Sequence, residues 1–366
     1  MTAPKGKRLL SIDALRGFDM MFIMGLSAII AATCRLFPGG EESWLYSQMF
    51  HAEWDGLFHH DTIFPLFLFI SGLTFPFSTA KRLEAGATKK KVFLNTIRRG
   101  LILIGLGLVY NGLFDLDWSH LRFPSVLARI GIAWMLAAWI FLAAGRKARC
   151  VIAAVILTGY SFLLMIPAPD APMEGSLSPL GSFPSYVDRL ILGRHIYVPG
   201  QYDPEGILST LPAIVTAMLG QFAGEFVQSS KNGRKTLWML GAAAVLLGAG
   251  LVWSLWIPVN KALWSPSFVL VVGAYSLALF AVFYWLIDVK GWTRWTPFFA
   301  VVGMNSITIY LAQQIIPFRS VCEFFLGGAA SYMNELWAEW LLALGYFAVC
   351  WLFLWFLYKK KVFLKV

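Results

Sequence analysis

Ten stretches of roughly twenty apolar residues recur along this chain and leave few folds open to it. A helix needs ~20 residues to cross the hydrocarbon core of a bilayer. The runs lie near 10–33, 62–80, 98–114, 126–144, 149–167, 205–226, 235–257, 267–287, 297–316 and 337–358. Across 366 residues the chain is 58% hydrophobic and 14% charged, with a mean hydropathy of +0.67. That balance excludes an ordinary soluble domain. Sixteen Trp and thirty Phe suit lipid-facing helices with aromatic belts at the interfaces. The expected fold is therefore all-α: a polytopic membrane helix bundle of about ten spans. It reads as one domain over 1–366, with a long polar loop at about 168–204.

The net charge of +10 would suit nucleic acid were it pooled, but it is distributed between the apolar runs. One set of connections carries Lys81, Arg82, Lys89, Lys90, Lys91, Arg98 and Arg99, then Arg146, Lys147 and Arg149. It continues with Lys231, Arg234 and Lys235, then Lys290 and Arg294, and ends on Lys359, Lys360, Lys361 and Lys365. The alternate set is poorer in Lys and Arg and holds Glu41, Glu42, Glu53, Asp55, Asp115, Asp117, Asp170, Glu174, Glu323 and Glu335. The positive-inside rule then puts both termini in the cytoplasm, consistent with an even number of spans. The basic start (Lys5, Lys7, Arg8) runs into a full-length span with no small-residue cleavage site, so a signal peptide is not expected. Cys34, Cys150, Cys322 and Cys350 lack metal-ligand spacing and read as mostly buried thiols. Cys34 and Cys322 fall on one predicted face, where a disulfide is the weaker alternative.

The most informative stretch is 51–72, HAEWDGLFHHDTIFPLFLFISG. Three histidines, Glu53, Asp55 and Asp61 stand at the mouth of an apolar helix, on the side opposite the basic loops. Ionisable groups at membrane depth are costly and kept chiefly where function needs them. His51 is the leading candidate for the chemical centre, and a water-facing interfacial loop is the plainer alternative. Asp61, ahead of Pro65, reads as a helix N-cap able also to orient a neighbouring His.

Other charges need protein or ligand partners at such depth. Asp13, Arg16 and Asp19 share nearly one face of the first span: an ion pair within the bundle, or the lining of a polar or anion-binding path. Arg122 sits at an outer mouth and Arg129 deeper in the fourth span, where a cation requires a carboxylate or an anionic ligand. In the long loop, Ser185 and Asp188 resemble a capping box and predict a short helix over the bundle, with His195 on it or just after. Asp203 and Glu205 bracket a Pro at the expected start of the sixth span, where acidic groups favour the helix dipole and can line a pocket. That span reads MLGQFAGE, small residues that permit close helix approach. The seventh and eighth spans hold almost no ionisable residues and read as scaffold. Asn305, Ser306, Tyr310, Gln313 and Gln314 form a polar stripe in the ninth, serving as interhelical glue or as a lining. No Walker loop, GxSxG elbow, HExxH motif or secure internal repeat is present.

Together these segments resemble one family, the transmembrane heparan-α-glucosaminide N-acetyltransferases and their bacterial relatives. The resemblance rests on SIDALRGFDM (11–20), the 51–72 stretch, RFPSVLARIGIA (122–133), the 188–197 segment, YDPEGILSTLPAI (202–214) and GMNSITIYL (303–311), in consistent order. It implies transfer of acetyl from cytosolic acetyl-CoA, across the membrane, to the amino group of a glucosamine-type sugar or glucosamine-terminated oligosaccharide. His51 matches the family's catalytic histidine, with Asp61 beside it. The resemblance further implies acceptor contacts from Trp54, Asp55, Arg122, Asp203 and Glu205. Donor contacts would come from Asp13, Arg16, Arg129 and Asn305. No metal is implied, nor nucleic acid. A bacterial inner membrane is the expected location, with a homodimer left open. Departures are Ala128 where many relatives carry Gln, Asp55 for an Asn, and Ser27 about where the animal enzymes place an Asn thought to assist the His. Chemically, an imidazole of near-neutral pKa can accept the proton an amine loses as it attacks a thioester, or can carry the acetyl itself. The rival classes are an amino-sugar permease, with His51 coupling protons, and an O-acetyltransferase acting on envelope polysaccharide.

Overall fold

The computed structural model describes residues 9–229 and 234–364, so Lys5, Lys7, Arg8, Lys231 and Lys365 of the basic segments lie outside the described residues. Within them the chain is helical, with only isolated bridges of extended backbone. In order the helices are α1 (Leu10–Met21), α2 (Ser27–Arg35), α3 (Trp44–Ser47), α4 (His59–Glu84), α5 (Lys89–Tyr110), α6 (Val126–Ala143) and α7 (Arg146–Met165). There follow α8 (Phe183–Leu192), α9 (Thr210–Ser229), α10 (Lys235–Trp253), α11 (Pro266–Phe283), α12 (Thr296–Gly303), α13 (Ser306–Ile315), α14 (Phe318–Ala330) and α15 (Glu335–Lys359). Among the described residues nine helices are long and apolar enough to cross a membrane, or ten if the bent pair α12–α13 counts as one. About ten spans is therefore what the structure shows, each overlapping its expected place, with the third starting at Lys89 instead of 98.

Two spans are not straight. The first is broken between α1 and α2 by a π-helical turn over Phe22–Leu26, in which Gly25 has φ +130°, a conformation that L side chains rarely adopt. The ninth bends by 62° between α12 and α13, with Asn305 in the break. Its polar residues therefore do not form one stripe. Ser306 and Tyr310 face a cavity, Gln313 donates to the Tyr346 hydroxyl (2.9 Å), and Gln314 is exposed. All seven basic residues assigned to the 81–99 loop lie on α4 and α5, and only residues 85–88 separate these helices. Helix α14, of 13 residues, is too short to cross and was not legible as an element.

The interior is built from α4, α9 and α11, in each of which 67% of the most apolar window is buried, against 17% in α10 and 22% in α15. Helices α4 and α9 meet at near backbone contact. A Cβ on Gly220 would stand 2.0 Å from the Phe69 carbonyl oxygen, and one on Gly72 would stand 2.0 Å from that of Ala217. The small residues of the sixth span do what their spacing suggests. Helix α4 is thereby held centrally, with its first turn at one end of the bundle. All four cysteines are free; Cys150 is exposed, the other three are buried, and Cys34 and Cys322 are not bridged.

Candidate functional site

The site begins at the first turn of α4. Gln48 sets that start, its side-chain oxygen accepting from the His59 N–H (2.8 Å) and its carbonyl from that of His60 (3.1 Å). The helix so begins before the expected 62, with Phe58 at the cap position. Asp61 is therefore not the N-cap but the third helical residue, and Pro65 falls beyond the first turn. From its place near the helix N-terminus, where a carboxylate is favoured, Asp61 reaches back. One oxygen accepts from the backbone N–H of Ala52 and of Phe58 (both 3.1 Å), and the other accepts from His51 Nδ1 (2.7 Å). The carboxylate side chain is 2% exposed, whereas that of His51 is 55% exposed. With Nδ1 donating to Asp61, the Nε2 lone pair is the free one, the arrangement of an oriented general base.

A second segment closes on this pair from the far part of the sequence. Asn260 bridges to Asp55 along the backbone, and its Nδ2 donates to the Asp55 carboxylate (3.0 Å). The Gly56 N–H donates to the Val259 carbonyl (2.8 Å). Next in the chain, Lys261 Nζ lies 3.2 Å from Asp61 Oδ1 and 3.0 Å from His51 Nδ1. Burial lowers the Lys261 pKa, opposed by the Asp61 carboxylate. Sequence reading missed this lysine. Its one signal is that it stands alone between two spans almost free of charge, in a connection otherwise without basic residues.

His60 packs its ring 4.5 Å from that of His51, and its Nδ1 meets the Ser27 hydroxyl at 3.1 Å. Ser27, expected near His51, thus touches it only through His60. Below His60 the same face of α4 presents Phe64, Phe67 and Ser71, at helical spacings of three and four. All three line a cavity of about 120 Å³ shared with Arg16, Met20, Arg99 and Tyr310. Arg99 lies over the Trp134 ring at 4.2 Å, and its Nε makes no hydrogen bond. One helix face thus runs from the histidines to a largely apolar cavity flanked by two guanidinium groups, some 16 Å along the axis at 1.5 Å per residue.

The candidates of the loops before α6 and α9 form a second cluster. Arg122 donates Nε to Asp203 (2.8 Å) and Nη2 to Asp203 (2.6 Å) and Glu205, and packs 4.8 Å from the Tyr197 ring. Burial would lower the Arg122 pKa, but the two carboxylates outweigh it and raise it. Helix α9 starts only at Thr210, so Asp203 and Glu205 do not sit in its first turn and the helix-dipole expectation fails; they are spent on Arg122. Trp54 donates to the Leu177 carbonyl (2.8 Å) and packs edge-on against Tyr202 at 4.9 Å, fastening the long loop over this end. The expected short helix is α8, capped by Ser182 rather than Ser185, because Pro184 at its start moves the cap upstream. Asp188 instead accepts from the Ile207 N–H (2.8 Å), and burial pushes its carboxyl up to about 7. His195 follows that helix and is structural in its contacts, meeting the Leu121 carbonyl (2.8 Å) and stacking on Phe123 at 4.2 Å.

Trp54, Asp55, Arg122, Asp203 and Glu205 therefore lie at the His51–Asp61 end. Of the residues expected at a donor site, only Arg16 lines the cavity. Asp13 is buried where α1 meets α12, its carbonyl oxygen standing where a Cβ on Gly303 would fall. Asn305 donates to the Val362 carbonyl (3.2 Å). Arg129, fully buried, donates to Ser209 and to the Gly206 carbonyl (3.3 Å) under the Trp264 ring. Among the described residues no group of three or more His, Cys, Asp or Glu could hold a metal ion.

No protein-family profile matches the chain. Two curated proteins do: heparan-alpha-glucosaminide N-acetyltransferase of Mus musculus and that of Homo sapiens, each 28% identical over 415 aligned positions. The alignments cover 98% of this chain and 60% of each relative, so the chain spans about three fifths of their length.

Proposed function

Starting from the chain's place as a distant relative of the heparan-α-glucosaminide N-acetyltransferase family, we propose that it is a membrane-embedded acetyltransferase. It moves acetyl from acetyl-CoA to the amino group of a glucosamine-type sugar. The observation that carries this reading is the His51–Asp61 pair at the exposed end of α4, joined by one face of that helix to a cavity flanked by Arg16 and Arg99. His51 Nε2 accepts the proton that the acceptor amine loses as its nitrogen attacks the thioester carbonyl, and returns it to the CoA thiolate that leaves as the C–S bond breaks; the same atom is the one that would carry acetyl in a two-step route. Asp61 holds the ring and balances the imidazolium that forms. Acetyl-CoA is an anionic donor with a thin, flexible arm. The apolar cavity suits the arm, and the unpartnered Arg99 Nε together with Arg16 suits negative charge. Trp54, Asp55 and the Arg122 cluster border the place where the sugar meets His51. The charge bias puts the basic segments on the acetyl-CoA side and His51 on the other.

The test uses purified protein in sealed, oriented vesicles. Acetyl-CoA supplied on the side of the basic segments should acetylate glucosamine held only on the opposite side, and His51→Ala should abolish product with little change in melting temperature. Wild-type turnover in His51→Ala removes His51 from the chemistry. Product that forms only with both substrates in one compartment overturns transfer across the membrane. No product in any arrangement overturns the acetyltransferase itself.

A further inference from the structure

The geometry points to Lys261 as a positioning residue for His51: its ammonium keeps Asp61 ionised, and that carboxylate in turn holds the imidazole proton on Nδ1, so that Nε2 presents its lone pair. This inference rests on the acetyltransferase reading. Three atoms decide it: His51 Nδ1, Asp61 Oδ1 and Lys261 Nζ stand 2.7, 3.2 and 3.0 Å apart pairwise. A ring nitrogen has either a proton or a lone pair. A lone pair at 2.7 Å from an ionised carboxylate would be repelled, so Nδ1 bears the proton, Lys261 donates to the carboxylate, and the 3.0 Å approach of Nζ to Nδ1 is not a hydrogen bond. Asp61 then accepts from two backbone N–H groups, one imidazole N–H and one ammonium, with no acceptor site left to bind a proton. Hydrogen bonds to the charged form favour that form.

Lys261 is held for this role by a rigid turn. Asn260, fully buried, accepts from the Leu263 N–H (2.8 Å) through its side chain, and its own N–H donates to Ser265 Oγ (3.1 Å). The Lys261 carbonyl accepts from Trp264 (3.1 Å), and Trp264 adopts φ +50°, a left-handed conformation uncommon for so bulky a residue. The fully buried Trp264 ring packs 4.9 Å from Phe64, one turn below Asp61 on α4. A strained, buried anchor next to a lysine aimed at the base fits a segment kept for function rather than for closing a loop.

The experiment compares Lys261→Met and Lys261→Arg with wild type in the full chain. Lys261→Met should lower kcat about 10–100-fold, with the acetyl-CoA KM within about twofold, and Lys261→Arg should recover most of the loss. In parallel, ¹⁵N NMR of histidine-labelled protein, with His51 assigned by His51→Gln, should show one tautomer protonated at Nδ1 in wild type and a mixture in Lys261→Met. Unchanged kcat in Lys261→Met overturns the proposal, as does an unchanged tautomer with lost activity and no rescue by Arg. The tautomer is read without substrate. It therefore stands or falls separately from the acetyltransferase reading, whose failure would show as inactive wild type.

Discussion

Arg122 and Arg129 leave the same short stretch of sequence, seven residues apart, and end in opposite circumstances. Arg122 faces two carboxylates, those of Asp203 and Glu205, whose side chains are 0% and 8% exposed. Arg129 is buried among neutral partners, one hydroxyl and one carbonyl, with Nε and Nη1 making no hydrogen bond. The first is a closed ion cluster that fastens the loop before α9 to the start of α6. The second is a desolvated cation with donors to spare. Sequence reading gave both the same reason for existing, a deep arginine in need of an anion, yet only Arg122 makes hydrogen-bonded ion pairs, while Glu205 and Asp203 act on Arg129 through space.

Removing each arginine should separate the two cases. Arg122→Ala strands two buried carboxylates, and breaking a buried pair in this way costs ~3–5 kcal/mol. The melting temperature should fall further than for Asp188→Asn or Arg129→Met, and a fall no larger than that of an exposed control such as Arg319→Ala would break the comparison. Asp188, whose carboxyl lies where a Cβ on Gly206 would have to go, should give a smaller effect because it can keep its proton. Its folded value of about 7 exceeds the unfolded value of ~3.9. Between these the native state binds more protons than the unfolded state, so its contribution to stability declines as pH rises from about 4 to 7. Asp188→Asn should flatten melting temperature against pH across that window; an unaltered slope assigns the dependence elsewhere. Arg129→Met should change stability least, since an apolar residue of similar volume replaces a cation that makes no ion pair and feels the Glu205 and Asp203 carboxylates only through space. If it melts as low as Arg122→Ala, Arg129 has a partner that makes it structural. If it is stable but inactive, the spare N–H groups serve a ligand.

What could be read from the residues alone divides along physical lines. The spans were legible because lipid demands long apolar runs, and Lys89–Lys91 or Lys359–Lys361 mark their ends whatever they pack against. The breaks were not legible. Gly25 and Asn305 look like ordinary span residues until a neighbouring helix makes a bend worthwhile. His51 and Asp61 stand out as candidates because ionisable groups crowd a span mouth. Asp61 was nevertheless given the wrong station on its helix, since Gln48, eleven residues before His59, decides where that helix begins. Lys261 was invisible for another reason. Its meaning lies in a contact across 210 residues of chain, and its isolation in an otherwise uncharged connection does not name its partner. Arg99 was counted as loop charge because the apolar run starts at its neighbour, whereas α5 begins ten residues earlier.

The same long-range contact sets an order of events during biosynthesis. Chains are made from the N-terminus and their parts fold as they emerge. The His51 segment and α4 exist while α10 and the turn after it are still unmade. Through that interval Asp61 has its two backbone donors and the imidazole, but not the ammonium that completes its coordination. The His51–Asp61–Lys261 cluster is therefore completed only when the Asn260–Trp264 turn arrives and docks Trp264 against Phe64. A nascent chain stalled or cut before that turn would carry the Asp61 carboxylate without its counter-ion, so the cluster is completed late, together with the integrity of the second half of the bundle.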